Sequence, residues 1–186
     1  EVNAVTNEGV LPLHTACHYG REEVVKKLLH YGTDVNAACN KGCTSLYVAC
    51  QKGHDNIVSI LLGNKAIVNA ASNNGLTPLL AACLSGHRSV VLILLHSGTN
   101  IGIKHEQGWT PLHCASQGGN VDVVTLLLDH GAEVNAVTNE GVLPLHTACH
   151  YGREEVVKKL LHYGTDVNAA CNKGCTSLYV ACQKGH

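Results

Sequence analysis

A strict internal period is what most constrains this chain: glycine recurs at 9, 42, 75, 108, 141 and 174, always 33 residues apart. A second glycine column, Gly20, Gly53, Gly86, Gly119, Gly152 and Gly185, keeps the same step. So do Leu13, Leu46, Leu79, Leu112, Leu145 and Leu178, and likewise Ala16, Ala49, Ala82, Ala115, Ala148 and Ala181. A period of this length implies a one-dimensional stack of like units. Each unit is too small to bury its own apolar stripe and is stabilised by its neighbours.

Within one unit the local signals are those of two short helices. Thr110 supplies a capping hydroxyl and Pro111 stands at the first helical position, where its missing N–H costs nothing. The first helix is expected to end near Gly119, a residue that tolerates the left-handed conformation common at helix ends. Val123, Val124, Leu127 and Leu128 have helical spacing and mark a second helix, which Gly131 closes. An extended segment over residues 133–136 and a turn carrying Gly141 are expected to lead into the next unit.

These residues resemble the ankyrin-repeat family, whose signature T-P-L-H-x-A is matched by residues 110–115, Thr-Pro-Leu-His-Cys-Ala. The resemblance implies an all-α solenoid of helix-turn-helix units joined by β-turn or hairpin loops and right-stacked into a curved superhelix. It covers the chain as a single array over 1–186: a tail at 1–4, repeats at 5–37, 38–70, 71–103, 104–136 and 137–169, and a partial repeat at 170–186. Some positions depart from the signature. Leu11 and Leu143 replace the capping Thr, Ser45 and Ser177 the Pro, and Tyr47, Leu80 and Tyr179 the His, while Lys65 occupies a third glycine column. Each lost N-cap is expected to cost about 1 kcal/mol without changing the fold, and residues 38–70 are the expected weakest unit.

A second recurrence is stricter. Residues 5–37 and 38–70 agree at 12 of 33 positions, yet residues 1–54 are identical to residues 133–186. The copy includes turn residues such as Asn7, Glu8 and Val10, which fold constraints alone would not preserve. A recent duplication, an engineered repeat protein and a representative length of a repetitive filament all fit. Because both ends cut through a repeat, an excerpt from a longer array or end-to-end stacking of copies is expected.

Composition removes several function classes. A formal net charge of −1 with the 13 histidines neutral gives no electrostatic footprint for nucleic acid or an anionic membrane. No apolar run reaches membrane-spanning length, so no direct membrane insertion is expected. Ten cysteines sit in well-patterned helical sequence, and reduced thiols in an intracellular, cytoplasmic protein are expected. Cys17, Cys50, Cys83, Cys149 and Cys182 form one column and read as small packing residues. Cys39 and Cys43 flank the turn Asn40-Lys41-Gly42, as Cys171 and Cys175 do in the copy. A local disulfide or a partial metal site is conceivable there, against the plainer reading of two partly exposed turn thiols. No nucleophile, base and orienting acid recur with catalytic logic and no phosphate loop appears, so no enzyme activity and no cofactor or metal are expected. Glu22/Lys26 and Glu23/Lys27, spaced i to i+4, read as a solvated helix face.

What remains is surface, and here the resemblance implies a protein-interaction scaffold that binds other proteins on a concave face of turn tips and first helices. Carried onto this sequence, that face comprises Asn7, Glu8, Val10, His18 and Tyr19 in one repeat and Lys41, Cys43, Gln51 and Lys52 in the next. It continues with Asn74, Leu76 and Leu84, then Gln107, Trp109 and Gln117. The copied segment adds Glu140, Val142, His150 and Tyr151, followed by Lys173, Cys175, Gln183 and Lys184. Trp109, the single Trp, either contacts a partner or covers its turn. The resemblance also implies hydrogen bonds from His14, His113 and His146 to turn backbone between repeats. It makes Asn36, Asn69, Asn135 and Asn168 candidate substrates of an asparaginyl hydroxylase, although their first role is in stabilising turns. A structural or mechanical filament built from the 132-residue unit is the alternative to a scaffold.

Overall fold

The computed structural model describes residues 3–186. Among them run eleven short helices: α1 (Pro12–His18), α2 (Glu22–His30), α3 (Ser45–Lys52), α4 (Asp55–Gly63), α5 (Pro78–Ser85), α6 (Arg88–His96), α7 (Pro111–Gly118), α8 (Val121–Asp129), α9 (Pro144–His150), α10 (Glu154–His162) and α11 (Ser177–Lys184). The described residues form no strand, only isolated bridges between Ala38 and Thr44 and between Ala170 and Thr176. The chain makes two compact units, Glu1–Ala82 with Ser89–Thr99 and Cys83–Arg88 with Asn100–His186. In the first, α1 packs on α2 and α3, α3 on α4, and α2 on α4; in the second, α7 packs on α8 and α9, α9 on α10 and α11, and α8 on α10.

The periodic apolar columns are the core. Leu13, Leu46, Leu79, Leu112 and Leu145 are buried, as are Ala16, Ala49, Ala82, Ala115 and Ala148. The small alanine side chains let successive first helices approach closely. The second helices add buried valines of their own, Val25, Val58 and Val91 in the first unit and Val124 in the second. Each buried aliphatic side chain of the size of Val or Leu stabilises the stack by about 1.5–3 kcal/mol.

Helix starts follow the sequence signals with one revealing exception. Thr44, Thr110 and Thr176 accept the N–H three residues on, at 3.2 Å from Tyr47, 3.4 Å from His113 and 3.4 Å from Tyr179. Leu11 and Leu143 have no oxygen to offer, but their side chains are buried and their own N–H groups bond the Nδ1 of His14 at 3.2 Å and of His146 at 3.1 Å. The lost cap is thus set against an isobutyl group removed from water, which weighs as much or more.

Polar ladders with a step close to one repeat run beside the apolar core. At the turn tips, the Nδ2–H of Asn40, Asn73, Asn139 and Asn172 donates to the carbonyls of Asn7, Asn40, Glu106 and Asn139. Gly42, in the left-handed region at φ +73°, has no Cβ because Asn73 Oδ1 occupies that space. At the start of the second helices, His54, Asn120 and Arg153 bond the carbonyls of His18, Cys83 with Leu84, and Gln117. These satisfy carbonyls that the preceding first helix leaves without intrahelical partners.

Two local expectations are corrected. Residues 133–136 are a tight turn, closed by the Ala136 N–H on the Glu133 carbonyl at 3.1 Å, and not an extended segment. With no partner strand an extended backbone would leave its N–H groups without an internal acceptor, and the turn supplies one. The side chains of Asn36, Asn69 and Asn135, which follow the second helices, bond across to the next repeat and not to nearby backbone, and within the turn it is Asp34 Oδ1 that accepts the Asn36 N–H, at 2.9 Å. Asn36 Oδ1 accepts the Ile67 N–H at 2.8 Å, and Asn135 Oδ1 accepts the Asp166 N–H at 2.9 Å and the Thr165 hydroxyl at 3.1 Å. On α2, Lys26 pairs with both Glu22 and Glu23 at 2.8 Å, and Lys158 makes the same fork with Glu154 and Glu155 on α10.

Candidate protein-binding face

None of the residues expected on the binding face is buried. The turn tips place Asn7, Glu8, Lys41, Asn74, Gln107 and Glu140 in solvent, and the ends of the first helices do the same for His18, Gln51, Lys52 and Leu84. Val10, Cys43, Leu76, Trp109, Gln117 and Val142 are half-buried.

In each unit a groove gathers part of this set. The first groove, about 300 Å³, is lined by Val10, His14, Thr15, His18, Tyr19, Cys39 and Val48. The second, about 210 Å³, is lined by Val142, His146, Thr147, His150, Tyr151, Cys171 and Val180, the same seven positions 132 residues on, together with Trp109. Both are predominantly apolar with a few polar atoms. Gln107, Trp109, Glu140 and Val142 also border a more polar depression with Thr138 and Asn139.

The aromatic residues of the grooves are positioned by the helix ends that carry them. Tyr19 and Tyr151 follow the last residues of α1 and α9, and each stacks edge-on to the preceding histidine, with ring centroids 4.8 Å apart for His18–Tyr19 and 4.9 Å for His150–Tyr151. Tyr19 is 64% exposed and Tyr151 40%. The difference has a visible source, because Gln117 donates to the Tyr151 hydroxyl at 3.1 Å and Trp109 forms one wall of that groove. Trp109 leans on His113 with ring centroids 5.8 Å apart and also lines the second groove.

The signature histidines form the wall behind these residues and are committed to structure. The Nε2–H groups of His14, His113 and His146 donate to the carbonyls of Cys43, Val142 and Cys175 at 2.9, 2.9 and 3.0 Å. Burial holds all three below the ordinary histidine range, His113 at about 4. They are neutral at neutral pH, with the proton on Nε2 set by the bond each makes.

The grooves bring together Val10, His18 and Tyr19, and then Trp109, Val142, His150 and Tyr151. They also include Thr15, Cys39, Val48 and their copies, which the repeat-by-repeat reading passed over. Thr15 lies one helical turn before His18 and Tyr19 on the same face, a spacing visible in the sequence. Cys39 and Val48 come from the next repeat.

The thiols divide by environment. Cys17, Cys50 and Cys83 are buried as packing residues, whereas Cys149 is half-buried and Cys182 exposed. Burial pushes the Cys17 and Cys114 thiols up to about 12, which suppresses the reactive thiolate. Among the described residues no three His, Cys, Asp or Glu side chains gather to hold a metal ion, and no helix is long and apolar enough to cross a membrane.

A search of curated proteins gave no match to this sequence. A family model described as ankyrin repeats matches it three times, at residues 13–105, 97–171 and 138–186. Together the matches take in every residue from 13 to 186, and the chain belongs to the ankyrin-repeat family.

Proposed function

We propose that this chain is a non-enzymatic intracellular scaffold that binds other proteins through the turn tips and exposed first-helix residues, with the two recurring grooves as its principal contact sites. Ankyrin repeats are generally protein-interaction modules. The observation that carries the finer reading is the pair of grooves with the same seven lining positions, an exposed tyrosine among them in each. Tyrosine supplies a large contact area at low entropic cost and is common among interface hot spots. A partner with two matching segments would gain avidity beyond either contact alone. The turn residues Asn7, Glu8, Lys41, Cys43, Asn74, Leu76, Gln107 and Glu140, together with Gln51, Lys52, Leu84 and Gln117, would form the more polar rim. The free state of the cysteines supports a reducing, cytoplasmic setting.

Affinity capture with the chain and a Tyr19→Ala/Tyr151→Ala variant tests this. Partners held by the parent chain are expected to be lost from the variant, and to be kept by Lys27→Ala/Lys159→Ala on the second helices. Capture that survives loss of both tyrosines and fails with the lysine variant would refute it.

The exact recurrence of 54 residues across a 132-residue shift supports a second reading, a structural or mechanical array of many such units, or copies that stack end to end. Sedimentation over a range of concentrations separates the two readings, since a scaffold stays at one mass while stacking copies grow with concentration.

A further inference from the structure

Three of the turns that open a repeat begin with a hydroxyl, and a fourth begins with His105, whose Nδ1 accepts the Gln107 N–H at 3.1 Å. Thr6, Ser72 and Thr138 each accept the N–H four residues on, from Val10, Leu76 and Val142 at 3.2 Å. Cys39 and Cys171 put sulfur, a weak acceptor, in that place. The residue facing them across the turn is also cysteine, Cys43 and Cys175, where the other turns carry Val, Leu or Trp. Turn chemistry gives no reason for thiols at both ends.

The backbone holds those ends together. The Cys39 N–H donates to the Cys43 carbonyl at 3.0 Å and the Gly42 N–H to the Cys39 carbonyl at 2.8 Å, and Cys171, Gly174 and Cys175 repeat both distances. The first of these N–H···O bonds closes the turn at the two cysteines and sets their backbones side by side, the placement a disulfide calls for, with Cα atoms about 4.4–6.8 Å apart. The Cys43 thiol lies against that of Cys39, and Cys175 against Cys171. All four are free and half-buried, unlike the enclosed Cys17 and Cys50.

We propose that Cys39–Cys43 and Cys171–Cys175 are two reversible dithiol–disulfide sites, closed by exchange with a small disulfide such as oxidised glutathione. One thiolate attacks a glutathione sulfur, forming a mixed disulfide and releasing one glutathione thiolate. The facing thiolate then attacks the protein sulfur of that mixed disulfide, closing the turn and releasing the second. Two electrons pass from the protein dithiol to glutathione disulfide, and the two thiol protons end on the two glutathione molecules. Cys171 is the better first nucleophile of its pair: the Lys173 backbone N–H and the adjacent Cys175 hold its thiol below the ordinary range, while burial and Cys171 itself raise Cys175. The site stands whether or not the neighbouring groove binds a partner.

The test is a titration of the full chain in a glutathione redox buffer, followed by acid quench, alkylation in guanidinium and tryptic mapping. Cleavage after Lys41 and Lys173 leaves the two halves of each turn joined only through sulfur. The two turns yield identical peptides, so the number of alkylatable thiols, falling from ten to six as Cys39, Cys43, Cys171 and Cys175 drop out, reports that both have closed. Reduced glutathione is expected to restore all ten. In a Cys43→Ser/Cys175→Ser variant the reaction is expected to stop with glutathione attached to Cys39 and Cys171. A count that stays at ten, glutathione retained on Cys39, Cys43, Cys171 or Cys175 of the parent chain, or crosslinks that persist in the serine variant would each overturn the proposal.

Discussion

His113 ties its own helix to the following turn through Val142: the imidazole Nε2–H donates to the Val142 carbonyl at 2.9 Å. Its Nδ1 meanwhile faces the Thr110 hydroxyl at 2.8 Å and the Thr110 N–H at 3.3 Å. Both ring nitrogens are used and the ring is fully buried, so the neutral form with one proton on Nε2 fits this place. A second proton on Nδ1 would break the contact with the Thr110 N–H.

Stability is therefore expected to fall on mild acidification. In the folded chain His113 resists protonation down to about pH 4, while the unfolded chain takes up that proton near pH 6.5. The stabilisation is fully present above pH 6.5 and is lost as pH falls from there to about 4. The loss amounts to about 2 kcal/mol by pH 5 and about 3 kcal/mol once pH is below both values. His14 and His146, lowered by the same burial, add in the same direction. Urea unfolding at pH 7.5 and pH 5 checks this. The midpoint is expected to drop at pH 5, and His113→Gln to lower it at both values while flattening the difference.

Lys65 is expected to be a removable defect. It is the one described non-glycine residue in the left-handed region, at φ +68°, in a column otherwise filled by Gly32, Gly98, Gly131 and Gly164. Those glycines have open space where a Cβ would stand, so conformation and not crowding selects them. A non-glycine residue pays about 1–2 kcal/mol there. Lys65→Gly is expected to raise stability by about 1 kcal/mol and Gly131→Ala to lower it by a similar amount, both read from thermal and denaturant midpoints.

The fold was legible because its core repeats in register. Leu112, Ala115, Val123 and Val124 have counterparts at each step of 33, and a column that stays small or apolar in every unit declares itself as packing. The grooves were only partly legible, for a geometric reason. Val10 to Tyr19 come from one repeat, Cys39 and Val48 from the next, and a reading that takes one repeat at a time does not join them. Asn36 and Asn135 likewise bond residues 29 to 31 positions away, so their role between repeats is invisible in the local turn. Trp109 both lies on His113 and borders a groove, a placement that depends on residues of two repeats and is not readable from the turn that carries it.

The turn ladder makes a separate prediction at Asn139, whose Nδ2–H donates to the Glu106 carbonyl at 2.8 Å while its backbone N–H bonds the Gln107 carbonyl at 3.0 Å. Asn139→Asp keeps the shape and removes the side-chain donor, placing carboxylate oxygen against carbonyl oxygen. A loss of about 1–2 kcal/mol is expected, accompanied by faster amide hydrogen exchange at residue 139. Exchange unchanged at that amide would show that the backbone bond holds the turn without the side chain.

Leu143 decides between two effects of similar size. Restoring the signature residue with Leu143→Thr gives α9 an N-cap hydroxyl, worth about 1 kcal/mol. The same change removes from the core an isobutyl group that is 3% exposed, at a cost of about 1.5–3 kcal/mol. The Leu143 N–H already has the Nδ1 of His146 as its acceptor at 3.1 Å, so the new hydroxyl satisfies only the N–H groups further along the first turn. Burial is expected to win, and Leu143→Thr to destabilise the chain by about 1 kcal/mol despite matching the family signature. Leu143→Ala loses the burial and gains no cap, so its midpoint is expected below that of the Thr variant. The gap between the two midpoints measures the cap together with burial of the threonine methyl, and a Thr variant more stable than the parent chain would mean that capping outweighs burial at this position.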